Sequence, residues 1–163
     1  MLKAIAKADA GIVVFGFGMG GMFDFTFLHF ILQWHHMLSN RVPPVSLATL
    51  AQNNFWDGIG LGISWLITLL GMLLLARAGA RVRFPNMLRF VGLFILGWGV
   101  FNLVDGIFNH HVFALHNVRD DVTDKTPWNL AFLIVAGILQ PLAGYWILSA
   151  SRRSELRVQR RVR

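Results

Sequence analysis

Cysteine is absent from the 163 residues. The chain therefore has no disulfide, no thiolate metal site, no iron–sulfur cluster and no cysteine nucleophile. Charge is scarce too, at 14% of residues, where soluble domains carry about 25%. Acids are the scarcer sign, 8 against 15 bases, for a formal net charge of +7. Glutamate occurs once, as Glu155. With 55% hydrophobic residues and a mean hydropathy of +0.56, these shortages exclude a disordered chain, a collagen-like chain and an ordinary water-soluble domain. The length holds one domain, or at most two very small ones.

What the chain does have is long stretches without charge. A bilayer core about 30 Å thick takes about 20 residues of helix to cross. Residues 10–28 carry only Asp24, 58–76 carry no charge, 90–109 carry only Asp105, and 130–151 carry none. Four spans are expected, near 10–37, 57–77, 89–111 and 128–150. Membrane strands need only about 10 residues of alternating polarity, and these runs are longer and apolar on every side. The N-terminal stretch lacks a small-x-small cleavage site, so the first span is read as part of the fold and not as a signal peptide.

The bases set an orientation. Lys3, Lys7, Arg77, Arg81, Arg83, Arg89 and the six arginines from Arg152 to Arg163 fall before span 1, between spans 2 and 3, or after span 4. Only Arg41, Arg119 and Lys125 fall in the other two loops. Both termini are expected in the cytoplasm, with loops 38–56 and 112–127 outside. No recognition motif accompanies the basic tail 152–163, so it reads as topology and attraction to anionic lipid, not nucleic-acid binding. Thr126 before Pro127 is an expected helix cap, and Asn54 or Asp57 is expected to cap span 2. Trp56 and Trp128 suit the membrane interface. Gln140-Pro141 predicts a kink in span 4.

The chain repeats itself at an offset of 81. Gly11, Gly16, Gly18, Asp24, Phe27, His29 and His35 fall on Gly92, Gly97, Gly99, Asp105, Phe108, His110 and His116. Trp56-Asp57 then matches Trp128-Asn129 at an offset of 72. An all-α bundle of four membrane helices follows, built from two parallel two-helix repeats, residues 1–80 and 81–151. The shared glycines either let helices pack closely or leave room for a flat cofactor.

All six histidines lie at one end of spans 1 and 3: His29, His35, His36, His110, His111 and His116. Asp24 and Asp105 lie five residues deeper, and ionisable groups within a bilayer usually mark a site. On a continuous α-helix His29 and His36 share one face and Asp24 and His35 another, so no single helix completes a site. The expected metal centre pairs His29 with His110, with Asp24 and Asp105 as ligands or as partners that fix the imidazoles. His35, His36, His111 and His116 would form a shallower site or an access path. Imidazole suits copper, zinc, iron and nickel; Met19, Met22 and Met37 could assist copper but read more simply as packing. The plain alternative is interfacial histidines with aspartates tying helices together. Asp57 is read as a structural cap, and Asp120, Asp121 and Asp124 as solvated loop acids.

The runs Gly16-Phe17-Gly18 with Asp24, Leu32-Gln33-Trp34-His35-His36-Met37-Leu38-Ser39, Trp56-Asp57-Gly58, and Asp105 with His110-His111 and His116-Asn117-Val118-Arg119 resemble a bacterial family of predicted membrane proteins, domain-of-unknown-function family 2243. The resemblance spans nearly the whole chain. It implies a small multi-span protein of the bacterial inner membrane and, through relatives joined to or near an assembly factor for cytochrome c oxidase, favours copper slightly over zinc. The chain departs from the expected pattern at Phe25, where glycine is expected after the aspartate, and at Asn117, where a second histidine is expected.

Three functions compete on these grounds. One is a membrane protein that binds or transfers copper or zinc, with a homo-oligomer or an oxidase assembly partner. Another is a haem-binding electron-transfer protein, with two histidines on one iron. The third is a two-metal enzyme, disfavoured because no glutamate or other base stands apart from the possible ligands.

Overall fold

A computed structural model describes residues 2–79 and 86–162, with side chains from Ile5 to Ala78 and from Asn86 to Ser154. The expected hairpin boundary at 80/81, Arg81, Arg83 and the side chains of Lys3, Arg157, Arg160, Arg161 and Arg163 lie outside the described residues.

Helices are the solution that apolar runs of this length impose, because each backbone group must be paired within its own segment when no water is present. Helix α1 (Leu2–Phe23) runs on as a π-helical segment, Asp24–Ile31. Helix α2 is Leu47–Gly79. Helix α3 (Met87–Ile107) also ends in a π-helical segment, Phe108–Val112. Helices α4 (Thr126–Phe132) and α5 (Gln140–Val162) are joined without a break by a third, Leu133–Leu139. Among the described residues, these rods give four helices long and apolar enough to cross a membrane: Ile5–Ile31, Leu47–Ala78, Met87–Val112 and Thr126–Ser154. Below they are spans 1 to 4. No strand occurs among the described residues.

Spans 1 and 3 form the centre, span 2 packs on span 1, and span 4 packs on span 3. Glycine sets the spacing between the central pair. A Cβ on Gly16 would stand 2.2 Å from the Phe94 carbonyl oxygen, and one on Gly97 would stand 2.1 Å from that of Val13. The same residues recur along the flanks, Gly11 against Leu75 and Gly92 against Leu148. Neighbouring backbone fills the glycine stripe, so it leaves no slot for a flat cofactor. At the end where the termini lie, Arg89 makes a two-point ion pair with Asp9, tying spans 1 and 3 by charge.

Two expected boundaries shift. Span 1 ends as a helix at Ile31, not near 37, because Gln33 takes a positive φ of 49° and turns the chain back. Ala114 does the same after span 3, with φ 47°. Span 2 begins ten residues before Asp57. Its cap is Ser46, whose hydroxyl accepts from Thr49 N–H while the Thr49 hydroxyl accepts from Ser46 N–H, a reciprocal pair of the capping-box kind. Asp57 therefore lies inside the helix, and neither it nor the exposed Asn54 caps it. Thr126 is the first residue of α4 and not its cap: Lys125 stands at the cap position without a side-chain bond, and Pro127 falls one place further into the helix. Gln140-Pro141 falls where the π-helical stretch of span 4 ends.

The loops close over this end. Arg119 sets its guanidinium over both Trp34 and Trp128, 4.9 and 4.8 Å from the ring centres, where the two indoles meet edge to face, while pairing with Asp121. Asn53, fully buried, holds the turn below through Leu38 N–H and the Val42 carbonyl.

Candidate metal centre

The π-helical winding brings the acids and histidines together. On an α-helix residues five apart point about 140° away from each other. A π-helix closes i→i+5 bonds, so its wider turn brings residues five apart nearer one face. His29 Nε2 comes 3.3 Å from Asp24 Oδ2, and His110 Nε2 comes 2.9 Å from Asp105 Oδ2. The five-residue offset that separates these groups in depth on an ideal helix is here a direct contact.

The two turned-back loops add one imidazole each, and they do so crosswise. His35 Nδ1–H donates to the Val118 carbonyl at 2.9 Å, and His116 Nδ1–H donates to the Met37 carbonyl at 3.1 Å. His35 and His116, like Met37 and Val118, are related by the offset of 81, so each loop braces the histidine of the other. The two rings stack 4.5 Å apart at 11°. Burial holds both imidazoles below their ordinary value, His116 down to about 4. Both are therefore neutral, with a free Nε2 lone pair, at physiological pH.

His29 is braced differently. Its Nδ1–H donates to Asp57 Oδ1 at 2.8 Å. The other oxygen of that carboxylate accepts from His36 Nδ1–H at 2.7 Å, and Oδ1 also accepts Met37 N–H. His29 and Asp57 are both fully buried. A carboxylate behind a histidine fixes the ring and raises its basicity as a ligand. His29 Nε2 faces the Asp24 carboxylate, so the ring lies between two acids.

Among the described residues, Asp24 Oδ2, Asp105 Oδ2 and the Nε2 atoms of His29, His35, His110 and His116 are buried without a hydrogen-bond partner. Unpaired buried polar atoms are costly, and six converge here. The donor atoms of His29, His35 and His116 lie within 4.8 Å of one another, as do those of Asp105, His110 and His116. Ligands bound at about 2.1 Å around a tetrahedral ion stand about 3.4 Å apart. The donor set therefore fits a transition-metal ion chemically.

Of the eight candidate metal ligands, six meet: the four expected at the centre, Asp24, His29, Asp105 and His110, and with them His35 and His116. His35 and His116 belong to this chamber and not to a shallower site. His36 is buried, but it serves Asp57 and offers no donor to the cluster. His111 is exposed and bonds only the Gly106 carbonyl, because one step round span 3 from His110 faces away. Asp57 is the residue that sequence reasoning assigned wrongly. The available signal was its match to Asn129, a polar residue at the same place in both halves.

The family profile described as "Predicted membrane protein (DUF2243)" matches residues 10–151. The chain belongs to this family. No curated protein and no solved structure matches it. The departure from the expected DUF2243 pattern at Phe25 has a structural counterpart. Phe25 packs on the His29 ring at 4.5 Å and fills the space over Gly60, where a Cβ would stand 2.1 Å from the Phe25 ring. In the second half the partners trade places: Phe132 of span 4 stacks on His110 at 5.1 Å, over Gly106 of span 3. At the other departure, Asn117 takes the place of His36 and bonds Asn129, the counterpart of Asp57. Val118 N–H then donates to Asn129 Oδ1 as Met37 N–H does to Asp57.

Proposed function

We propose that this membrane protein holds a transition-metal ion, copper or zinc, in the chamber between spans 1 and 3, and stores it or hands it on. One observation carries the reading: six atoms able to ligate a metal, from two carboxylates and four imidazoles, are buried together without a hydrogen-bond partner. A cation supplies what they lack. Neutral His35 and His116 are prepared as ligands without first losing a proton, and Asp57 fixes the His29 ring.

Transfer is favoured over turnover because every acid and histidine in the chamber is a donor or braces one, leaving no free base. Haem is the second reading and has less support. The rings of His29, His35, His110 and His116 touch in a chain, with neighbouring centres 4.2 to 6.0 Å apart. No slot for a macrocycle separates them. The pattern of basic residues supports cytoplasmic termini and a chamber near the outer face of a bacterial inner membrane. The reciprocal contacts at the offset of 81 support two related hairpins. A second copy of the chain, or an assembly partner of a respiratory oxidase, is the proposed recipient, the latter on the family resemblance.

Metal analysis and an optical spectrum on one mildly solubilised sample test the reading. A stoichiometric copper or zinc content without a Soret band is expected. Well-folded protein that takes up neither metal overturns it.

A further inference from the structure

Six donors lie in the chamber, but they do not form one sphere. They fall into two sets that share only His116. An imidazole Nε2 has a single lone pair and serves one ion. The offset of 81 resolves the overlap, since His116 corresponds to His35. Each half then has one aspartate, one helical histidine and one loop histidine: Asp105, His110 and His116 form one set in the second, while in the first Asp24 meets His29 at 3.3 Å and His29 shares its set with His35.

The halves differ in the charge behind them. In the first, Asp24 faces an ion and a second carboxylate, Asp57, is fully buried behind its ligand His29. Two negative charges balance a divalent cation. In the second, the place of Asp57 belongs to Asn129, which carries no charge and turns its amide to Asn117. His110 Nδ1 consequently has no hydrogen-bond partner among the described residues. A divalent ion there meets Asp105 alone and keeps one positive charge. Uncompensated charge in a low-dielectric interior is expensive. A cavity of about 200 Å³ lies against Asp105 and Asn109, between spans 1, 2 and 3. Asp105 and Asn109 are the polar residues that the second half contributes to the cavity's otherwise mostly apolar wall.

Resting on the metal-binding reading above, we propose that the chamber takes two ions and holds them unequally. A resident divalent ion sits at Asp24, His29 and His35. An exchangeable ion sits at Asp105, His110 and His116 and completes its charge with an added anion, hydroxide or a small carboxylate, from the adjoining cavity.

Full-length protein in detergent is stripped with chelator, loaded with zinc(II) or separately copper(II), and analysed before and after brief exposure to dilute EDTA. Two equivalents per chain before and one after are expected. Asp57→Asn retains an acceptor for Met37 N–H and removes the charge. It weakens the resident ion about 10–100-fold, so both equivalents leave together. The pair Asn117→His with Asn129→Asp gives the second half the arrangement of the first and retains both ions. A single equivalent in the wild type, or equal release of both ions from it, overturns this proposal and leaves metal binding standing. Absence of either metal from folded protein overturns both. If Asp57→Asn does not fold, the double substitution decides: unchanged release of the second ion overturns the proposal.

Discussion

Asp57 stands behind His29, its Oδ1 2.8 Å from Nδ1, although the two residues come from different spans and both are wholly buried. The same carboxylate accepts from His36 and from the Met37 backbone. One side chain thus fixes a ligand, a neighbouring histidine and the start of the loop. Asp57→Ala leaves three donors unpaired, and each buried unpaired group costs about 1–3 kcal/mol. Metal-free protein carrying Asp57→Ala is expected to unfold at markedly lower temperature than Asp57→Asn, which still accepts from Met37. Thermal unfolding in detergent checks the order.

Histidines 110 and 111 are adjacent, yet only the first faces the chamber. His110→Ala is expected to lose bound metal, and His111→Ala to keep the wild-type content. Metal analysis at equal protein concentration distinguishes them, and equal loss from both would remove His110 from the ligand set.

Acid weakens the metal-free fold through His116. Burial holds its folded value near 4, below the unfolded value of about 6.5. Between these values the unfolded chain binds more protons, so stability rises with pH across the window and is lost as pH falls. The loss due to this residue is about 2 kcal/mol at pH 5 relative to pH 8. His116→Gln should flatten the stability profile between pH 4 and 6.5, as measured by denaturant or thermal unfolding.

The spacing of spans 1 and 3 depends on two missing methyl groups. Gly16→Ala places a Cβ against main-chain atoms of Phe94, and overpacking of this sort costs about 1–3 kcal/mol. Gly62→Ala, with nothing within 4 Å, is the control and should be neutral or slightly stabilising. Thermal unfolding of the two variants side by side reads the difference.

The exchanged aromatic and glycine offer a swap. Gly60→Phe alone collides with Phe25 and should lower both yield and metal content. Combined with Phe25→Gly it reproduces the pairing of Phe132 with Gly106, and metal content is expected to recover. A double variant no better than the single one would show that the two halves do not pack alike around their histidines.

The four spans were legible because charge-free runs of this length have few other uses, and Asp24, His29, Asp105 and His110 stood out as polar residues within them. Their direct contact was not legible. An α-helical reading separates residues five apart, and nothing in Asp24–Ile31 announces π-helical winding. His35 and His116 were read as shallow for a related reason: the return of the chain depends on positive φ at Gln33 and Ala114, residues with no preference for it. Asp57 was misread because an aspartate near the edge of an apolar run looks like a cap, and the true start at Ser46 lies in a stretch of ordinary loop composition. One residue explains the drifting match between spans 2 and 4. Asp57 pairs with Asn129 at an offset of 72, yet Thr68 and Pro141 occupy equivalent places against Gly18 and Gly99 at 73, and the π-helical stretch Leu133–Leu139 lies between.

The crossed bracing of His35 by Val118 and of His116 by Met37 bears on biogenesis. A nascent chain that has delivered only its first two spans has no acceptor for His35 and only half of the donors. The chamber comes into being when residues up to Val118 have emerged and both hairpins have docked. A cofactor would be acquired by the inserted, finished protein, not by the chain during its synthesis.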